Sequence, residues 1–160
     1  MIILVMGVSG SGKTTIGSRL AERLHWSFYD ADTFHPAANI DKMRQGIPLS
    51  DVDRLPWLMA LQQAITGWLR THTNAVLACS ALKSEYRQML CLSPQVKPVY
   101  LKGSFEFIQQ RLQQRQGHYM KADLLQSQFD TLEEPEDALQ IDITQPPEAI
   151  VADIRKALMV

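Results

Sequence analysis

Gly7-Val8-Ser9-Gly10-Ser11-Gly12-Lys13-Thr14 decides the reading of this chain, because it stands between an apolar run, Ile2 to Met6, and a segment of helical periodicity. The order is strand, glycine loop, helix, and the spacing is G-x-x-x-x-G-K-[ST], the pattern of a phosphate-binding loop or P-loop. Gly7, Gly10 and Gly12 free the backbone for conformations that a Cβ forbids and let its N–H groups approach phosphate oxygens. The following helix adds a positive end, since its unpaired N–H groups and its macrodipole both favour an anion. Lys13 is placed to reach the β- and γ-phosphates of a nucleotide, and the Thr14 hydroxyl to ligate Mg²⁺.

The 160 residues, 46% of them hydrophobic, suffice for one domain with a core able to fold alone. With 16 Lys and Arg against 17 Asp and Glu, the net charge is −1, which gives no reason to expect a nucleic-acid or membrane partner. The chain opens on a core strand without a basic leader, and no apolar run approaches the ~18 residues of a membrane span, so a cytoplasmic protein is expected. Cys79 and Cys91 lack metal-ligand spacing and are too few for a disulfide framework, as suits a reducing compartment.

Ile16, Leu20 and Leu24 form an apolar stripe that predicts a helix over 13–24 packed on a sheet. Trp26 to Tyr29 reads as a short strand ending in Asp30-Ala31-Asp32. Two carboxylates thus emerge at a strand's C-terminal edge, where the ligand crevice of an open α/β sheet lies. A short helix is expected over 36–45, stopped by Gly46 and Pro48. A longer one over about 54–71 carries Leu58, Leu61, Ile65 and Leu69 on one face, with Trp57 and Trp68 read as packing residues. Ala75 to Cys79 is a continuous apolar run, hence a strand buried on both faces, and it leads through Lys83 to a polar helix bearing Tyr86 and Arg87.

Val96 to Leu101 is the fourth strand, and Phe105, Ile108 and Leu112 mark another amphipathic helix. Leu124 to Leu132 is expected to be a short helix and Leu139 to Ile143 the fifth strand, while Pro146-Pro147 opens a final helix. Between them, residues 114–123 collect Arg115, Gly117, His118 and Lys121 without apolar rhythm and are expected to form a mobile basic flap, or lid, over the phosphates. Arg111, at the root of that flap, is expected to stack over adenine opposite Pro146 or Pro147. The β-α alternation predicts a three-layer α/β fold, five parallel strands with helices on both faces, in a single domain over 1–160.

Other P-loop classes need parts this chain lacks. A GTPase switch shows D-x-x-G and N-K-x-D, and neither occurs. A Walker B ATPase ends its central strand in Asp, whereas the strand from Ala75 ends in Cys79-Ser80. The acids lie instead on the strand directly after the loop helix, as suits a small kinase in which one carboxylate assists Mg²⁺ and the other faces an acceptor hydroxyl.

Asp30-Ala31-Asp32-Thr33-Phe34-His35-Pro36, Asn39, Lys42-Met43, Gly46-Ile47-Pro48-Leu49 and Asp51-Val52-Asp53-Arg54-Leu55-Pro56-Trp57-Leu58 resemble the signature of the gluconokinases. Cys79-Ser80-Ala81-Leu82-Lys83 with Tyr86-Arg87, and Gly117-His118-Tyr119 with Ser127-Gln128-Phe129, extend the likeness over nearly the whole chain, with Tyr119 where Phe is expected. The resemblance implies a P-loop kinase fold and ATP- and Mg²⁺-dependent phosphorylation of D-gluconate on its 6-hydroxyl, by an enzyme that is commonly a homodimer.

On this reading the ATP-binding residues are Gly7, Val8, Ser9, Gly10, Ser11, Gly12, Lys13, Thr14, Thr15, Arg111 and Pro146. Gluconate is an anionic polyol, which calls for cations at its carboxylate and short polar groups at its hydroxyls. Arg54, Lys83 and Arg87 supply the first, Asp32 and His35 part of the second, and His118 joins them from the flap. Lys13, Asp32 and Arg115 are the catalytic candidates, with Asp30 reaching the metal through water; the opposite division of labour between Asp30 and Asp32 stays open at this point, as does which flap arginine meets the γ-phosphate. Competing readings are another small-metabolite kinase of the shikimate or nucleoside-monophosphate type, and a nucleotide-binding regulatory module without phosphotransfer.

Overall fold

Every residue of the first strand, β1 (Ile2–Met6), is buried, and its side chains alternate between two cores. Ile3 and Val5 enter one, Ile2, Leu4 and Met6 the other. Successive strand residues point to opposite faces, so an unbroken apolar run is what a strand covered on both sides requires. The computed structural model describes residues 1–114 and 122–160. After β1 come α1 (Lys13–Leu24), β2 (Ser27–Asp30), a 3₁₀ turn (Ala31–Phe34), α2 (Ala37–Arg44), α3 (Asp51–Arg70), β3 (Ala75–Ala78) and α4 (Ser84–Leu90). The chain continues through β4 (Val96–Lys102), α5 (Phe105–Gln114), α6 (Ala122–Thr131), β5 (Leu139–Asp142) and α7 (Pro147–Leu158).

Among the described residues the strands form one parallel sheet ordered β2-β3-β1-β4-β5. One face is covered by α1, α5, α6 and α7 through Ile16, Leu20, Ile108, Leu125, Ile150 and Ile154. The other is covered by α3 and α4 through Trp57, Leu58, Leu61, Ile65, Tyr86 and Leu90. The expected three layers are present, and the sheet register sets the level of what leaves its edge. Val5 pairs with Ala78, and Ala78 with Asp30. The loop after β1 and the acids after β2 therefore leave the sheet at one height, two strand spacings or roughly 10 Å apart.

Several boundaries differ from the sequence expectation for identifiable reasons. α3 starts at Asp51 and not near residue 54, because Ser50 is its N-cap. The Asp53 N–H donates to Ser50 Oγ at 3.1 Å and the Ser50 N–H to the Asp53 carboxylate at 2.9 Å, a capping box that draws Asp51, Val52 and Asp53 into the first turn. β2 lies one residue late because Trp26 closes α1, its N–H donating to Ala21 O at 2.9 Å. β3 and β5 each stop one residue early. α5 runs through Gln114 and α6 begins at Ala122, so the ends of the expected flap are helical. Its middle, with Arg115 and His118, lies outside the described residues.

Gly103 ends β4 against Ile143: a Cβ there would stand 2.5 Å from Ile143 Cδ1 and 2.7 Å from its Cγ1. Ile143 is fully buried, so its side chain would have to shift within the core. Gly103→Ala is expected to destabilise the protein by about 1–3 kcal/mol, the usual penalty of overpacking. Urea unfolding checks this as a lower midpoint at unchanged slope.

Candidate active site

α1 begins without a side-chain cap. Its N-cap is Gly12 at φ 96°, a left-handed conformation that suits glycine, and among the described residues no side chain caps the first turn. Those donors and the helix dipole are left for an anion. Ser9, Gly10, Gly12, Lys13, Thr14 and Thr15 line a cavity of about 580 Å³ at the C-terminal edge of the sheet. Gly7, Val8 and Ser11 lie buried beneath the loop, and Ser11 Oγ has no hydrogen-bond partner among the described residues.

Lys13 Nζ donates to Val8 O at 3.0 Å. Burial pulls its pKa below the ordinary lysine value, against the opposing pull of Asp32, Cys79 and Asp30. Thr14 Oγ1 donates to Asp30 Oδ2 at 3.4 Å, and the Asp32 N–H to Asp30 Oδ1 at 3.0 Å. Both acids stand on the cavity wall, Asp30 also serving the loop threonine and capping the 3₁₀ turn. Burial, and then repulsion from Asp30, raise the Asp32 pKa, with Lys13 and His35 acting the other way. The two expected carboxylates share one site and differ in what holds them.

His35 stacks on Trp57 with ring centroids 4.5 Å apart, and Trp57 Nε1 donates to Ala31 O at 2.7 Å. Asn39 Nδ2 donates to Asp53 O at 2.8 Å and lies 3.2 Å from His35 Nδ1. A main-chain carbonyl only accepts, which fixes the Asn39 amide nitrogen on that side and makes His35 Nδ1 the acceptor of its second hydrogen. The His35 proton then resides on Nε2. Burial also lowers the His35 pKa, so the ring is a neutral donor near pH 7.

Arg54 also lines the cavity, with Nη1 3.4 Å from the Tyr86 hydroxyl and 3.7 Å from Asp51. Asp51 is the hub of this corner: it accepts the Tyr86 hydroxyl and both Lys83 contacts, at 2.9 and 3.1 Å. Those bonds hold the Asp51 carboxyl below its usual range.

Two of the three expected acceptor-side cations are placed differently from that expectation. Lys83 is committed to Asp51 and does not line the cavity. Arg87 is a structural staple, donating to Ala81 O at 2.8 Å, Leu82 O at 3.1 Å and Glu133 O at 2.6 Å. A guanidinium has a fan of donors suited to carbonyls at a chain crossing, and sequence alone does not separate that use from carboxylate binding.

On the opposite side of the loop, Arg111 Nη1 comes within 3.5 Å of where a Cβ on Gly12 would lie. Arg111 Nη2 donates to Ile143 O at 3.4 Å, and the guanidinium rests 5.1 Å over the Phe107 ring. Pro146, three residues beyond Ile143, is the N-cap of α7. Neither Arg111 nor Pro146 lines the main cavity.

Sequence reasoning gave no role to Gln128. Its Oε1 accepts the Ser9 N–H at 2.7 Å and its Nε2 donates to Ser9 Oγ at 2.9 Å. The available signal was helical spacing: Gln128 follows the buried Leu125 by three positions and precedes Leu132 by four, which sets it at the edge of the inward stripe.

The chain matches the family model described as shikimate kinase over residues 9–157. It is 47% identical to the thermoresistant gluconokinase of Escherichia coli (strain K12), over 94% of this chain and 89% of that protein. It is 46% identical to the gluconokinase of Arabidopsis thaliana, over 96% of this chain and 89% of that one. Among solved structures, a gluconokinase from Sinorhizobium meliloti 1021 superposes with a TM-score of 0.85 at 39% identity, covering 98% of this chain and 94% of that chain.

Because the Asp32 pKa is raised in the fold, its contribution to stability is present below the unfolded value of 3.8 and is lost as pH rises through the folded value. Asp32→Asn is therefore expected to raise the Tm of the ligand-free protein at pH 7, by an amount that narrows toward pH 4. Thermal melts across that range provide the check, and a lower Tm for the variant at pH 7 would show that the ionised carboxylate is held favourably.

Proposed function

The chain belongs to the gluconokinases within the shikimate kinase family, and from that membership and the cavity we infer that it transfers the terminal phosphoryl group of ATP to the 6-hydroxyl of D-gluconate, giving 6-phospho-D-gluconate and ADP. The observation that carries the chemistry is that Lys13 on the phosphate loop and Asp32 on the facing wall line the same cavity, together with His35 and Arg54.

The geometry supports the following division of roles. The open α1 N-terminus and the loop N–H groups receive phosphate oxygens, and Lys13 leaves Val8 O to meet the β- and γ-phosphates. Asp32 takes the proton of the attacking hydroxyl, and its raised pKa makes it a stronger base than an ordinary aspartate. Neutral His35 donates from Nε2 to an acceptor hydroxyl, and Arg54 pairs with the gluconate carboxylate. The electrostatic influence of both Asp32 and Arg54 on His35 is consistent with His35 lying between them. On the strength of the sequence, Arg115 helps stabilise charge on the transferred group and His118 joins the residues that bind gluconate.

The residues fit Mg²⁺. Among the described residues no group of three or more His, Cys, Asp or Glu side chains could hold a metal ion. Thr14 and Asp30 at 3.4 Å instead offer one hydroxyl and one carboxylate, and Mg²⁺ characteristically takes few protein ligands beside waters and substrate phosphates. Thr14 would hold it directly and Asp30 through water; when bound, it neutralises charge on the phosphate oxygens. A homodimer in the cytoplasm completes the reading, and among the described residues no helix is long and apolar enough to cross a membrane.

With a coupled ADP assay, gluconate is expected to stimulate turnover, while shikimate and nucleoside monophosphates leave it at the background rate. ADP release indifferent to every acceptor would favour a nucleotide-binding module. Lys13→Met is expected to lower kcat by roughly 100- to 1000-fold, as for removal of one preorganised transition-state donor. Its melt should stay cooperative, since the lysine contributes a single main-chain bond to the loop.

A further inference from the structure

Gln128 stands outside the roles assigned so far, yet it makes two side-chain contacts to the phosphate loop. Its carboxamide makes a paired contact with Ser9, oxygen to main-chain N–H at 2.7 Å and nitrogen to hydroxyl at 2.9 Å, and both residues line the cavity. An acceptor oxygen seated on a main-chain N–H of this loop is the chemical equivalent of a phosphate oxygen. That N–H is a single donor, so Gln128 and a phosphoryl oxygen compete for it.

The helix that carries Gln128 is anchored elsewhere. Leu125 is buried in the core, Phe129 meets Phe105 edge-on at 5.8 Å, and just past the helix the Glu133 N–H donates to Leu82 O at 2.8 Å. The face of α6 that holds Gln128 also presents Leu124, Ser127 and Thr131 to the cavity. One side of one helix therefore contacts the phosphate loop and forms a wall of the acceptor space.

We propose that Gln128 is a self-ligand of the phosphate loop: it occupies the Ser9 N–H in the empty enzyme and yields it to a phosphoryl oxygen of the bound nucleotide. The exchange couples nucleotide binding to the acceptor wall on α6. The inference rests on the cavity being a nucleotide site, and not on gluconate being the acceptor. A contact made only in the empty state opposes ligand binding by its own free energy, and the coupling to a second ligand is reciprocal.

The test is isothermal titration of ADP and of a non-hydrolysable ATP analogue with Mg²⁺ into wild type, Gln128→Ala and Gln128→Glu, with and without gluconate, after melts show that each variant is folded. Gln128→Ala loses the competitor and is expected to bind both nucleotides roughly 3- to 10-fold tighter, the equivalent of one neutral hydrogen bond, with less influence of gluconate on that affinity. Gln128→Glu keeps an acceptor oxygen and adds a negative charge where phosphate arrives, so it is expected to bind them at least about 10-fold more weakly.

The proposal stands on these opposite signs. Weaker binding in both variants would make Gln128 a direct phosphate ligand, and unchanged binding in both would make the contact a structural tie; either result overturns it. A wild-type protein that bound no nucleotide would overturn this inference and the kinase reading together, whereas nucleotide binding without gluconate turnover would remove only the acceptor assignment.

Discussion

Positive charge concentrated at the end of β1 is the constraint on which the rest depends. The uncapped N-terminus of α1 and the ammonium of Lys13 are held together at the edge of an apolar sheet, and the empty protein compensates them incompletely. Lys13 has one carbonyl, and the Ser9 N–H has a borrowed carboxamide. Such a site suits a polyanion, because the helix dipole already favours one there, while Lys13 and the Ser9 N–H would each exchange one neutral acceptor for a charged phosphate oxygen. The parallel register aligns the loop with the acids: Val5, Ala78 and Asp30 stand side by side, so the two open into the same space.

The acids on the next elements divide according to whether their charge is compensated. Asp53 is held at about 2 by Lys42 and the Ser50 cap, and Asp51 is held low by Tyr86 and Lys83. Both are scaffold: their bonds tie α2 and α4 to α3. Asp32 makes no such hydrogen bond among the described residues, and burial with repulsion from Asp30 outweighs the pull of Lys13 and His35, so its pKa moves the other way. Environments that push neighbouring carboxyls apart mark which one is free to handle a proton. That is the pattern expected if Asp32 is the proposed proton acceptor, since a working group is often held at some cost in stability.

Most of the fold was legible because its signals were local. The apolar β1, the glycine loop and the Ile16-Leu20 stripe each specify one element without help from the rest. Boundaries slipped where a side chain intervened, as at Ser50, whose capping bond lengthens α3 by a turn. Of the residues singled out in the sequence, Lys13, Thr14, Asp30, Asp32, His35 and Arg54 line one cavity. Partnership was not legible. Whether a cation faces a ligand or a carbonyl depends on where distant segments cross, so the bond of Arg87 to Glu133 O across 46 positions was not readable from the sequence. Gln128 was missed for the same reason, since Ser9 lies 119 positions away.

The account turns on Lys13 and Asp32 sharing one poorly hydrated site, and carbon-13 NMR titration of the aspartate carboxyls measures that directly, with Asp32→Asn supplying the assignment. In the ligand-free protein Asp32 is expected to titrate above the ordinary value of 3.8, and to climb further in Lys13→Met, where the favourable charge is gone and the burial remains. An Asp32 that titrates at or below 3.8, or that does not respond to the loss of Lys13, would contradict the account.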